Sequence, residues 1–323
     1  MSRAARVLVW TVAAGVALVL VALAVPVAAG VWPVAQVVAF RAVLALGAGV
    51  AALALLAVPW TRHRVLPVAL ALALGAVAQG AVLVGRSVPQ QVADASPDAT
   101  VKVLSFNTLD TVDAALLADL VLDHGADVVV LPETSERTAR ATAQGLAAAG
   151  HPMQLLTADG STPSVAGTAL LVSPRVGDYP VAEALPTRLG SLRATPADAA
   201  GSPVIVAAHP LAPGRRGAMP TWRAETRLVA QACARTPGAI VVGDLNATLD
   251  HPGLQRLGPC VDAARAAGAA ELGTWPASAP RVLAAPIDHV LVDARAWSVV
   301  GFQVLPRTGG SDHRPILATL ARR

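Results

Sequence analysis

The chain has 323 residues, 54% of them hydrophobic and 14% charged, with a formal net charge of +4. No Asp or Glu occurs before Asp94, while six arginines do; from Asp94 onward 19 basic residues meet 21 acidic ones. The basic balance therefore belongs to the front of the chain, which argues against a duplex-binding protein whose surface offsets phosphate charge throughout.

The first apolar run, Val7–Ala29, carries no charge and is long enough to cross a hydrocarbon core, which needs about 20 residues. With Arg3 and Arg6 before it and Val27-Ala28-Ala29 at its end, it also has the form of a signal peptide. Two further apolar runs favour retained helices. The reading is a membrane domain over residues 1–86, with three transmembrane helices at about 7–29, 36–59 and 65–85. Arg3 and Arg6 precede the first span, and Arg62, His63 and Arg64 fill the turn before the third. The positive-inside tendency puts both clusters in the cytoplasm and the C-terminal domain outside. Trp10, Trp32 and Trp60 fall near the expected interfaces. Arg41 is expected to snorkel to the outer interface from a second span that starts near Ala42. Without intramembrane acids or paired charges, the spans read as an anchor. Residues 87–100, polar and with two prolines, read as an exposed linker. Fully extended, it would reach roughly 45 Å, which keeps residues 101–323 close to the bilayer.

In that second part, Val101–Asn107 and Asp127–Leu131 are apolar runs expected as buried strands. Helices are expected over Asp113–Asp123, stopped by Gly125, and over Ser135–Ala149. Short strands follow in series: 153–157, 168–173, 179–184, 190–195 and 203–209. A helix over 221–234 leads to strands at 239–243, 287–292, 298–305 and 314–320. Helices mixed with directly successive strands predict an α/β four-layer sandwich, two packed mixed sheets flanked by helices.

The polar residues of interest share one position, an end of an apolar strand. Asn107 closes VKVLSFN, Glu133 follows DVVVLP, and His209 closes VIVAAH; Asp244 and Asn246 follow AIVVG. Asp288 and His289 open IDHVLV, and Asp312 and His313 precede RPILATL. Strand ends on one side of a sheet converge on one cleft, and acids gathered there repel unless a cation or another partner holds them. Glu133 and Asp312 are hard oxygen donors and Asn107 a neutral one, a set suited to Mg²⁺ or Mn²⁺. Asp244 is placed to orient or deprotonate a water, and Asn246 and His209 to donate hydrogen bonds to a charged intermediate. Asp288 is the acid that would fix the tautomer of His313.

The segments SFN (105–107), LPE (131–133), AAHP (207–210), GDLNAT (243–248), IDHV (287–290) and SDHRP (311–315) resemble, in order, the motif set of the endonuclease/exonuclease/phosphatase superfamily. The resemblance spans about Val101–Leu320. It implies the four-layer sandwich, Mg²⁺ or Mn²⁺ dependence, metal binding through Glu133, water and phosphate contacts through Asp244 and Asn246, and an Asp288–His313 pair. Pro132 stands where many relatives have Gln. Leu109 stands where some nucleases have an acid, so the nuclease branch is less favoured.

The expectation is a membrane-held, divalent-metal-dependent phosphoesterase acting outside the cytoplasm, on a phospholipid headgroup or a nucleic acid. The alternatives are an extracellular nuclease and a non-catalytic membrane-bound binding module. Asp250-His251-Pro252 reads as a helix start. Trp275 either borders the cleft or packs, and Arg215-Arg216-Gly217 reads as a solvated turn. Cys233 and Cys260 are the only cysteines, and a bridge between them is permitted if the domain faces outward.

Overall fold

The computed structural model describes residues 2–25, 27–59, 62–90, 92–96, 100–198 and 201–323. It divides into two compact units, Met1–Arg86 and Ser87–Arg323.

The first unit is helical. Helix α1 (Arg3–Ala24) is capped by Ser2, whose hydroxyl accepts from the Ala5 amide. A short α2 (Val34–Ala39) and α3 (Arg41–Leu56) follow, then α4 (Arg62–Ser87). Helices α1 and α4 are each long and apolar enough to cross a membrane. The second apolar run is broken at Phe40 (φ −110°, ψ 50°), and the 16 residues of α3 rise only about 24 Å, short of a core about 30 Å thick. Trp60 lies outside the described residues. Leu20 of α1 packs on Gly75 of α4, where any Cβ would collide with it, so a glycine is what lets these helices approach.

Arg41 departs from its expected position. It is 3% exposed, and its guanidinium turns inward to the Leu23 carbonyl (2.9 Å) and to the Gln79 side-chain oxygen. The Gln79 amide in turn donates to the Leu20 carbonyl (2.8 Å). The last carbonyls of α1 lack helical donors and carry the negative end of its dipole, so an inward cation is satisfied there without reaching water.

The second unit contains two six-stranded sheets. One has the order β11 (Trp297–Val304), β12 (Ile316–Arg322), β1 (Thr100–Ser105), β2 (Val128–Leu131), β4 (Thr168–Val172), β3 (Gln154–Ala158). The other runs β5 (Val181–Leu185), β6 (Ser191–Thr195), β7 (Ile205–Ala208), β8 (Ile240–Asp244), β10 (Asp288–Asp293), β9 (Cys260–Asp262). The pairs β1/β2 and β7/β8 are parallel and every other ladder is antiparallel. The two sheets therefore repeat one connectivity, a pseudo-symmetry that the sequence itself does not display.

Apolar side chains such as Val103, Val130, Leu170, Ile205, Val242 and Val290 fill the space between the sheets. A second core, including Leu104, Phe106, Leu131 and Leu171, lies beneath α5 (Ala114–His124) and α6 (Glu136–Ala148). Strands buried on both faces explain the unbroken apolar runs VVVL and IVVG. Helix α5 ends, as its sequence predicts, at Gly125 in the left-handed conformation (φ 59°). With α7 (Met219–Arg235) on the other side, the unit is a four-layer α/β sandwich.

Three details were not expected. β9 and α8 (Ala263–Ala267) are too short to leave a periodic signal. Asp250-His251-Pro252 starts no helix: His251 Nδ1 accepts from the Thr248 amide (2.7 Å), closing a turn that packs edge-on against Trp222. Between residues 87 and 96, the Gln90 amide donates to the Ala266 carbonyl and the Ala93 amide to the Val299 carbonyl, both at 2.9 Å. Cys233 of α7 and Cys260 of β9 form a disulfide.

Candidate active site

The central parallel pairs deliver four polar residues to one end of the sandwich. Just beyond β1, the Asn107 side-chain amide donates to Glu133 Oε1 (2.9 Å) and to Asp244 Oδ2 (3.0 Å). Its own oxygen accepts from the Leu109 amide (3.0 Å). That contact fixes the amide with nitrogen, not oxygen, toward the two carboxylates. Leu109, Asp110 and Glu133 have positive φ (52°, 47° and 50°), so the loops after β1 and β2 turn sharply. They are tied by Thr108 N to Pro132 O (3.0 Å) and Asp110 N to Glu133 O (2.7 Å). The Asp110 carboxylate accepts from the Ser135 amide (3.0 Å) and so serves the start of α6.

His209, just after β7, is fully buried, its backbone amide bonded to Ser191 Oγ (2.8 Å). Its Nε2 lies 3.7 Å from Glu133 Oε1 and 3.8 Å from Asp244 Oδ2. Burial pushes its pKa down, outweighing Asp244, which pulls the other way.

Asp244 ends β8 and is opposite Asp288 in the antiparallel ladder with β10, so register alone brings these two carboxylates together. Asp288 Oδ2 accepts from His313 Nδ1 (2.9 Å), and His313 Nε2 lies 3.6 Å from Asp244 Oδ2. Burial opposes protonation of His313, but Asp288, Asp244 and Asp312 outweigh it and lift its pKa to about 10. Burial, reinforced by Asp288, raises the pKa of Asp244 against the pull of His313 and His209. Potential ligand atoms of Asp244, Asp288 and His313 all lie within 4.8 Å of one another, an arrangement able to hold a cation.

Asn246 is held from three sides. Its amide donates to Asp244 Oδ1 (2.8 Å), its side chain to the Pro210 carbonyl (3.1 Å), and its carbonyl accepts from Trp222 Nε1 (2.9 Å). Its φ of 48° aims the loop across the strand ends. Gly243 has φ 149°, and a Cβ there would overlap the Ala208 backbone carbonyl, which accounts for the glycine of GDLNAT.

The structure thus gathers Asn107, Glu133, His209, Asp244, Asp288 and His313, with Asn246 beside them. Asp312 takes a different direction, its Oδ2 accepting from Trp275 Nε1 (2.8 Å). Sequence reasoning gave no role to the groups that position this set. Ser311 Oγ donates to the Asn107 carbonyl (2.6 Å) and accepts from the His313 amide (3.0 Å). His289 has acceptors on both ring nitrogens, Asp262 Oδ2 and the Ala247 carbonyl, each at 2.8 Å. Both nitrogens therefore carry protons; burial opposes this, but the Asp262 carboxylate prevails and the pKa is raised. Ser311 lies inside the quoted SDHRP motif, and His289 inside IDHV, which was the available signal.

Fold and site together define a hydrolase-type α/β sandwich with a cation-competent acid–histidine cluster. The sequence profile of the Endonuclease/Exonuclease/phosphatase family matches residues 103–313, and the chain belongs to that family. No curated protein matches the chain. Among solved structures it is similar to an endonuclease/exonuclease/phosphatase from Beutenbergia cavernae, with 19% identity, 69% of this chain and 72% of that chain covered, and a TM-score of 0.56. It is also similar to D. rerio TDP2 complexed with single strand DNA product (18%, 69% and 99%, 0.55). A third is the Bacteroides thetaiotaomicron mannosyl-6-phosphatase Bt3783 (15%, 68% and 99%, 0.51).

Proposed function

We propose that the chain is a divalent-metal-dependent phosphoesterase whose catalytic unit works at the outer face of the cytoplasmic membrane. The observation that carries this reading is the continuous chain of contacts Asp288–His313–Asp244–Asn107–Glu133 at the strand ends. Three carboxylates share this small space, and Asp288 Oδ1 is buried without a hydrogen bond. Such a site fits a cation, and its oxygen donors suit Mg²⁺ or Mn²⁺. Glu133 and Asp288 would hold it, leaving Asp244 beside them for the attacking water. Ligation by His313 would first require loss of the proton that its carboxylate neighbours retain. Asn107, with its nitrogen toward the acids, spaces the carboxylates rather than adding an oxygen, and Asp312 acts through its charge on His313. When bound, the metal would neutralise charge on a phosphoryl oxygen and on the leaving oxygen.

The protein groups then have separable roles. Asp244, raised by burial, accepts the proton of the attacking water. His313, protonated and fixed through Nδ1 by Asp288, donates from Nε2 to the phosphoryl group. Asn246 and His209 add donors to the same developing charge. The cleft is tested by hydrolysis of a generic phosphodiester with Mg²⁺, with EDTA controls and with Asp244→Asn and His313→Ala. Activity equal to wild type in both variants rejects the assignment.

Two observations support the outward orientation. Arg6 of α1 and Arg64 of α4 line one groove, so the arginine-bearing starts of the two helices share an end. The Cys233–Cys260 disulfide suits an oxidising compartment. A third pass by way of α2 and α3 completes the multi-pass reading. The tether near the bilayer and the near-neutral catalytic unit favour a phospholipid headgroup as substrate. Release from labelled vesicles, compared with lysis of nucleic acid, separates this from the nuclease alternative.

A further inference from the structure

At the end of the first unit where α1 and α4 begin, the two helices flank an open groove of about 470 Å³. One part of its wall is cationic or titratable, from Arg6, His63 and Arg64. The rest is amphipathic or apolar, from Trp10, Leu66 and Leu70. The cations have no carboxylate to meet within their own unit, because the first acid of the chain is Asp94. A volume in the range of small-molecule sites, with guanidinium groups beside an indole and leucines, matches an anionic head joined to acyl chains. Basic pockets between membrane helices on the cytoplasmic side bind such heads.

We infer that this groove is a binding site for one anionic phospholipid, its phosphate between Arg6 and Arg64 and its glycerol and first methylenes against Trp10, Leu66 and Leu70. The site is separate from the strand-end cluster of the second unit and takes lipid as a bound component, not as a substrate. It rests on the reading that α1 and α4 sit in a bilayer.

The full-length chain is placed in nanodiscs of phosphatidylcholine with a minor fraction of phosphatidylglycerol, and lipid retained after detergent release is counted by native mass spectrometry. Wild type should keep one phosphatidylglycerol. Arg6→Gln with Arg64→Gln should lose about tenfold or more of that occupancy. Arg3→Gln with Arg62→Gln removes the same charge from the same helix starts without touching the groove wall, and should keep it. Equal loss in both pairs means diffuse surface charge and overturns the site, as does retention of phosphatidylcholine in equal amount. Equal thermal stabilisation by inorganic phosphate in phosphatidylcholine-only discs would also overturn it, because the ligand would then be a free anion. Flotation on phosphatidylcholine vesicles separates the two readings: a chain that floats but keeps no phosphatidylglycerol fails only the site, and one that does not float fails the membrane reading and the site with it.

Discussion

The two units treat buried charge in opposite ways. In the helical unit the one buried charged side chain among the described residues, Arg41, is satisfied by a carbonyl of α1 and by Gln79, whose amide in turn meets a carbonyl of α1. In the sandwich, Asp244, Asp288, His209 and His313 are buried together, and Asp288 Oδ1 and both His209 ring nitrogens make no hydrogen bond. A satisfied pair between helices is packing chemistry. A cluster of like charges with unfilled bonds is held at a cost in stability that a scaffold does not need, and such clusters mark sites where charge is handled. The difference teaches where this chain places its reactivity.

The largest effect expected concerns that contrast directly. Asp244→Asn should lower kcat by about 10³ or more while leaving thermal stability equal or higher, since it removes one of the repelling buried acids. Hydrolysis and thermal melting of the same preparations check it, and a large loss of stability would make Asp244 a structural acid. Gly243→Ala comes next. With φ at 149° and the Ala208 carbonyl in the way, it should destabilise the sandwich by about 3 kcal/mol in denaturant titration, and activity should fall with folding. Breaking the Cys233–Cys260 bridge, 27 residues apart in sequence, should cost about 3 kcal/mol by the same measurement, without changing kcat below the transition. On the helical side, Gln79→Leu should cost only about 1 kcal/mol, because Arg41 keeps the Leu23 carbonyl.

The comparison also has a pH form. The pKa of His313 is raised in the folded state to about 10, above the usual histidine value of 6.5. Its stabilising contribution is therefore complete below about pH 6.5 and is lost as pH rises toward 10. Metal-free protein should lose stability across that window, and His313→Ala should flatten the slope. The Arg41–Gln79 contact should not respond over the same range, since arginine stays protonated throughout it.

Strands buried on both faces, such as β2, β4 and β8, were legible because a continuous apolar run leaves few other structures. So was the convergence of Asn107, Glu133, His209 and Asp244, which follows from the central parallel pairs of the two sheets ending at the same end of the sandwich. What was hidden depends on direction and local contact. Asp312 and His313 are neighbours in an irregular loop, yet one carboxylate meets Trp275 while the other ring meets Asp288. The hydroxyl ties of Ser311 and Ser191 leave no periodic trace. Asp before His-Pro looks like a helix start until His251 folds back on the Thr248 amide. Arg41 was misread because a sequence shows a cation near a span end but not the carbonyls of another helix waiting for it.

The central claim is that the acids at the strand ends surround one divalent cation. Mn²⁺ binding to the full-length protein, followed by electron paramagnetic resonance at neutral pH, tests it most directly. Wild type should take up one tightly held ion, with affinity reduced about tenfold or more in Glu133→Gln and in Asp288→Asn and unchanged in Asp110→Asn, whose carboxylate instead holds the amide of Ser135, the residue that caps α6. Equal affinity in all four proteins would contradict it.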